Sequence, residues 1–307
     1  MEVAIISDYQ ISEYKEFGYE NGWSTASGIY KEILRLKKVK NIIWYPFPID
    51  APNFPFKELK RDIKHKKINP DVVLYLSCGP REDNMFTKSN FPNAKLVVDL
   101  GDEPQTKGFN IERSANADIV LTPDRECYNF YKSKGYSAIH TGHWADMEIF
   151  KPNENMDIKY DVVSSMKGDR GKIPDYISKK LGERYINLNN LSGQENAELF
   201  QSAKIVFQKA RFNEITRRIF EGMATKKLVI TDRLPDSKRL DLFFEDGKEF
   251  VLYDGKYDAF RKIKYYLKNE EEREKIALSG YEKVKKYYTT KNIVDYILWK
   301  IFNFVLN

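Results

Sequence analysis

Short β-rich apolar runs alternate with helix-length amphipathic stretches along the first half of the chain. Residues 2–7, 41–45, 71–77, 95–100, 118–122 and 137–141 read as strands. Between them, residues 25–38, 56–65, 110–115 and 125–134 carry helical spacing. Strand, helix, strand in this rhythm predicts a parallel, doubly wound sheet with helices on both faces. Residues 149–160 lose periodicity and gain Pro, Asn and charge, the composition of a linker, which sets an expected boundary near Pro152.

The second half restarts the same grammar. Strands are expected over 161–165, 185–188, 203–208, 228–231 and 249–252, with helices over 173–181, 194–202, 213–224 and 258–267. The reading is an α/β protein of two tandem Rossmann-like units. Two further helices follow, over 270–287 and 291–304. The last carries Ile293, Ile297, Leu298, Ile301, Phe302 and Val305 and is too apolar for a solvent helix, so it is expected to pack back on the first domain. The resulting division is 1–152, 153–290 and a crossing helix over 291–307.

Composition narrows the function classes. A chain of 307 residues is long enough for two ordinary cores. The formal charge is +6, but residues 1–150 are nearly neutral by direct count, so the positive excess lies in the second half. That suits an anionic ligand held there better than a basic track along the whole molecule. Mean hydropathy is −0.59, no run of 18 apolar residues occurs, and the start lacks a basic n-region, so the expectation is a cytoplasmic protein. Cys78 and Cys127 stand far apart and unaccompanied, which argues against a disulfide framework or a zinc site. Neither GxGxxG nor GxxxxGK[ST] is present, which removes most of the case for dinucleotide dehydrogenases and P-loop NTPases.

Three segments in order carry a family resemblance: NEITRRIFEGMATKKLVITD from Asn213, FFEDGKEFVLY from Phe243, and the stretch from Tyr265 containing EEEREKIALSGYEKVKKYY. Together they resemble the C-terminal half of group 1 glycosyltransferases of the GT-B fold, in the branch of spore-maturation-type proteins. The resemblance covers roughly residues 203–298. It implies two Rossmann-like domains facing across a cleft, a nucleotide diphosphate sugar, UDP-sugar favoured, held by the C-terminal domain, an acceptor on the N-terminal domain, and no metal or other cofactor. Glu221 resembles the family's ribose-binding glutamate. The first glutamate of the familiar pair would fall at 213, where this chain has Asn213 with Glu214 beside it, so either is a candidate for sugar hydroxyls. The amides of Ile215, Thr216 and Arg217 are expected where a helix start meets sugar and phosphate, and Arg218 belongs to the R-x-F-E variant. Lys167, Arg170 and Lys172, in SSMKGDRGK, are candidates for gripping the diphosphate. A solvated helix face or charged loop is the competing reading for these charges.

In the first domain, Gly22, Trp23, Ser24 and Thr25 precede a helix and suit close approach to phosphate or acceptor, although Ser and Thr are also ordinary N-caps. Asp102 and Glu103 follow a strand's C-terminal end and are candidates for the acceptor side or a general base. His140 and His143 have H-x-x-H spacing but no further ligand in view. The basic run 57–67 suits phosphates, an anionic membrane or a solvated helix face. The expected activity is hexosyl transfer to a hydroxyl of a glycan, lipid or small molecule, with retention favoured. Transfer to a modified nucleic-acid base is the first alternative, weakened by the near-neutral first half, and a non-catalytic nucleotide-sugar-binding protein is the second.

Overall fold

The computed structural model describes residues 1–9, 25–48, 57–77, 86–101 and 107–305. Two compact units emerge, Met1–Gly142 with Ile293–Asn307, and His143–Asn292. In the first, β1 (Glu2–Tyr9), β2 (Asn41–Pro48), β3 (Val72–Ser77), β4 (Lys95–Leu100), β5 (Ile119–Thr122) and β6 (Ala138–His140) form one parallel sheet in the order β2-β1-β3-β4-β5-β6. Helices α1 (Thr25–Leu34), α2 (Lys57–Lys64), α3 (Lys107–Ser114) and α4 (Arg125–Ser133) connect the strands. All four residues of β5 are buried, as a parallel strand covered on both faces requires. Alternate residues Ala4, Ile6, Val73, Tyr75, Leu96 and Val98 form one core with Cys127 and Tyr131 of α4. Helix α1 stops at Leu34, short of the expected 38: Leu34 is already exposed and the Leu36 amide turns back to the Ile33 carbonyl.

The second unit has β7 (Tyr160–Ser164), β8 (Tyr185–Asn187), β9 (Ala203–Phe207), β10 (Leu228–Asp232) and β11 (Val251–Tyr253), parallel in the order β11-β10-β9-β7-β8. Its helices are α5 (Lys172–Leu181), α6 (Gly193–Gln201), α7 (Arg217–Ala224), α8 (Gly255–Lys268) and α9 (Glu270–Tyr287). A final helix, α10 (Thr290–Val305), has its residues from Ile293 onward in the first unit, where Ile293, Val294, Ile297, Leu298 and Ile301 are buried. One face of the β7–β11 sheet, with Val162, Ile205, Phe207, Leu228 and Ile230, packs on α5 and α8 through Ile177, Leu181, Ala259 and Ile263. The opposite face takes α7, and Gly222 is why it lies so close: a Cβ there would sit 2.9 Å from a Val229 methyl and 3.1 Å from Val206. A capping box of Ser192 and Glu195 starts α6.

The division after Gly142 precedes Pro152 because the chain is already tied down at Ala145. Its amide donates to the Tyr288 carbonyl at 2.9 Å and its carbonyl accepts from Thr290 at 3.1 Å. Counted from the first strand of each unit, both sheets share the order 2-1-3-4-5, with β6 added in the first. In such sheets the order reverses between the first and third strands, and ligands bind outside the carboxyl ends there.

Candidate functional site

In the second unit the reversal falls between β7 and β9. Ser164, at the end of β7, donates to the Phe207 carbonyl at 2.7 Å and accepts from the Tyr185 hydroxyl at 3.1 Å, so the two strand ends are fastened inside the core. Asn187 of β8 then pins the loop that follows, accepting from the Met166 amide at 2.9 Å. The loop turns on Gly168 and Gly171, both with positive φ, in a region that only glycine adopts without strain. These turns fold Arg170 inward: its Nε donates to the Lys167 carbonyl at 3.0 Å and its Nη1 to the Lys209 carbonyl at 2.8 Å. Burial pulls the Arg170 pKa below the ordinary guanidinium value, Glu214 at 4.0 Å opposes this, and Arg211 and Arg218 add to it. Lys167 and Lys172 remain exposed on either side of the turn.

The loop after β9 is organised by two carboxylates. Asp232, at the end of β10 and nearly buried, accepts from the Ala210 amide at 2.8 Å and from Lys209 Nζ at 2.9 Å. Glu214 accepts from the amides of Arg211, at 3.1 Å, and Phe212. Asn213 sits between them at φ 56°, a conformation that Asn tolerates better than most residues. The expected helix from Asn213 therefore begins later, at Arg217, with extended Thr216 as its N-cap residue. The reason is local: Glu214 bonds backward to its own loop, which holds 213–216 out of helical geometry. Thr216 makes no side-chain cap, and its buried hydroxyl has no hydrogen-bond partner among the described residues. The exposed helix-start amides thus belong to α7 at Arg217 and Arg218, whereas the Ile215 and Thr216 amides precede it.

Within α7 every residue from Ile219 to Ala224 is buried, Glu221 among them, which removes the competing reading of Glu221 as part of a solvated helix face. It is 1% exposed and accepts from Arg218 Nη1 one turn earlier. Phe220 anchors the helix, its ring edge-on to Phe243, Phe244 and Tyr288 at centroid distances of 5.9, 5.1 and 5.5 Å. Arg217 lies over the Trp144 ring at 5.4 Å.

The structure thus brings together Arg170, Asn213, Glu214 and Arg218 at one sheet edge and adds Lys209, Arg211 and Asp232, which the sequence reading missed. Their signal was present: each lies at or just after the carboxyl end of β9 or β10. Every carboxylate in this group is engaged by an amide or a cation, whereas Lys167, Lys172 and Arg211 have no ion pair among the described residues. The edge therefore carries unneutralised positive charge beside a helix N-terminus, an arrangement that binds anions.

In the first unit, Asp102, Glu103, Gly22, Trp23 and Ser24 lie outside the described residues, as does Cys78; Thr25 begins α1. Cys127 is buried. His140 Nε2 lies 3.2 Å from the Pro123 carbonyl oxygen, whereas His143, in the second unit, stands edge-on to Phe220 at 6.1 Å. Among the described residues no helix is long and apolar enough to cross a membrane.

Comparison with known proteins agrees with this architecture. The family described as glycosyl transferase-like matches residues 150–299. No curated protein sequence matches the chain. The fold is similar to that of sucrose-phosphate synthase from Thermosynechococcus elongatus, with a TM-score of 0.69 and 10% identity over 99% of both chains. A glycosyltransferase from Rickettsia africae has a TM-score of 0.66 and 12% identity, covering 100% of this chain and 98% of that one. HepE of Anabaena, solved in complex with UDP and glucose, gives 0.65 and 10%, covering 98% and 99%. Residues 150–299, nearly half of the chain, thus match the glycosyl transferase-like family, and over its whole length the chain is similar to these proteins in having the GT-B fold.

Proposed function

We propose that the enzyme transfers a hexosyl group from a nucleoside diphosphate sugar, with UDP-sugar favoured, to a hydroxyl acceptor, without a metal ion and with retention. The observation that carries this reading is the cationic switch point between β7 and β9, where Lys167, Lys172 and Arg211 have no ion pair among the described residues. HepE, similar in fold, was solved with UDP and glucose, which favours uridine. As the bond from the anomeric carbon to the β-phosphate oxygen breaks, negative charge grows on the departing diphosphate. Arg170, Lys167, Lys172 and the α7 amides would stabilise that charge most at the transition state. The new bond forms to the acceptor oxygen, whose proton leaves to the diphosphate.

Arg218 and Glu221 have roles linked by their contact. Glu221 meets the ribose diol once Arg218 swings away from it, which frees a cation for the diphosphate at the same moment. Glu214 shapes the loop, because both its oxygens serve backbone amides, so contact with sugar hydroxyls falls to Asn213. The acceptor side belongs to the first unit, with Gly22 to Thr25 as a binding loop and Asp102 or Glu103 as the base required if the enzyme inverts.

Thermal shift against UDP, GDP, ADP and CDP tests the donor reading, with stabilisation expected from UDP first. Absence of a shift with every nucleotide would overturn it. Donor hydrolysis should survive EDTA; activity lost on chelation and restored by Mg²⁺ would show that a metal shares the diphosphate charge.

A further inference from the structure

The outer surface of α5 and α8 carries a second concentration of positive charge, separate in chemistry from the sheet edge. Tyr176 of α5 stands edge-on to Tyr257 and Phe260 of α8 at 5.5 and 6.0 Å. Three ammonium groups rest on these rings. Lys256 Nζ is 5.5 Å from the Tyr176 centroid and 5.0 Å from that of Tyr257, Lys180 Nζ is 5.7 Å from Tyr176, and Lys264 Nζ is 5.7 Å from Phe260. Tyr257 is 70% exposed.

What sets this cluster apart is that no carboxylate pairs with its lysines among the described residues. Asp258, the acid on this part of α8, is taken by Arg261, by Lys262 at 3.1 Å and by the Asp254 amide at 3.0 Å. Asp175 of α5 is exposed and pairs with none of these lysines among the described residues. None of Lys180, Lys256 and Lys264 forms an ion pair among the described residues. An ordinary solvated face mixes both signs of charge, and an isologous contact with a second copy would set these lysines against one another.

We propose that the α5–α8 face docks on an anionic phospholipid surface. Tyrosine rings suit the headgroup level of a bilayer, having an apolar body and a polar tip. Lysines set among them meet lipid phosphates while their stems cover the rings. Each lysine near an anionic leaflet contributes about 1 kcal/mol, a factor of about fivefold in binding, so three give about a hundredfold. Such docking would hold the enzyme at a bilayer, where lipid or membrane-bound glycan acceptors are found.

Sedimentation with vesicles tests this on the full chain. Phosphatidylcholine alone is compared with a three-to-one mixture of phosphatidylcholine and phosphatidylglycerol. The wild type should bind the mixed vesicles, lose them as salt rises, and ignore the neutral ones. K180Q/K256Q/K264Q should weaken binding about a hundredfold with an unchanged thermal melt, since all three side chains lie on the surface. Y257S should weaken the binding that remains at high salt. Wild-type binding by the triple variant would overturn the proposal, as would loss of binding only on neutralising the basic run 57–67. Equal binding of soluble polyglutamate and mixed vesicles would overturn it too, by showing general attraction to polyanions.

Discussion

Between β1 and β3 of the first unit, and between β7 and β9 of the second, the strand order reverses in the same way, but the chemistry around the two sheets differs. In the first unit the described polar groups at the carboxyl ends of β5 and β6 serve the backbone: Asp124 caps α4 through the Cys127 amide at 2.9 Å, and His140 lies against the Pro123 carbonyl. In the second, Arg170, Lys209 and Arg218 are held by carbonyls and carboxylates while Lys167, Lys172 and Arg211 are left over. Strand order fixes where a ligand can sit, and the residues after the strands decide its charge.

The comparison breaks most severely if α7 comes loose, because that helix sets the cationic edge against its sheet. Phe220→Ala removes the ring at the centre of the Phe243, Phe244 and Tyr288 cluster and is expected to lower stability by roughly 3 to 5 kcal/mol. Urea unfolding measures it, and a loss below 1 kcal/mol would mean that α7 is held by other contacts.

Arg170→Ala tests the edge itself. Removing a charge aimed at the departing diphosphate should cost roughly 10²- to 10³-fold in turnover. If steady-state kinetics with the best donor show less than a tenfold change, Arg170 only braces the loop through the Lys167 and Lys209 carbonyls.

Glu221→Gln separates donor binding from core packing. Loss of charge-assisted acceptance from the ribose should weaken nucleotide binding roughly tenfold to 150-fold. Because Glu221 is 1% exposed and paired with Arg218, stability should fall as well, by a route that calorimetric titration does not see. Wild-type nucleotide affinity in a destabilised variant would assign Glu221 to the core alone.

The smallest effect belongs to the first unit. Burial lowers the His140 pKa below its ordinary value of 6.5, so the unfolded chain takes up the proton first as pH falls. The stability that His140 supports is complete above about pH 6.5 and is lost as pH drops through its folded pKa. Urea melts across this window should show a slope that His140→Gln reduces; an unchanged slope would mean that other groups produce it.

Much of this was legible along the chain. The strands of both units follow from apolar runs bounded by turns, because a parallel strand buried on both faces needs a continuous apolar stretch. Arg170 was legible as a cation after a strand, and Glu221 as a carboxylate in a family-like motif. Three features were hidden. The residues of α7 from Ile219 to Ala224, Glu221 included, are all buried, whereas Arg217 and Arg218 at its start are only partly covered, a difference that the composition of the helix does not reveal. Asn213 to Thr216 read as the first turn of the helix that follows, but Glu214 bonds to the amides of Arg211 and Phe212 and postpones it. Lys209 and Asp232 lie 23 residues apart and meet only because β9 and β10 are neighbours.

The sequence by itself determined the alternation of elements, the two-unit plan, the positive excess of the second half and the segments that carry the family resemblance. These depend on local periodicity and composition, which read the same in any tertiary setting. Tertiary structure decided which charges are paired and which are left over, since that requires distances between residues on different strands. It also decided that Tyr176, Tyr257 and Phe260 share one surface with three lysines, because α5 and α8 are distant in the chain and become neighbours only by covering the same face of one sheet.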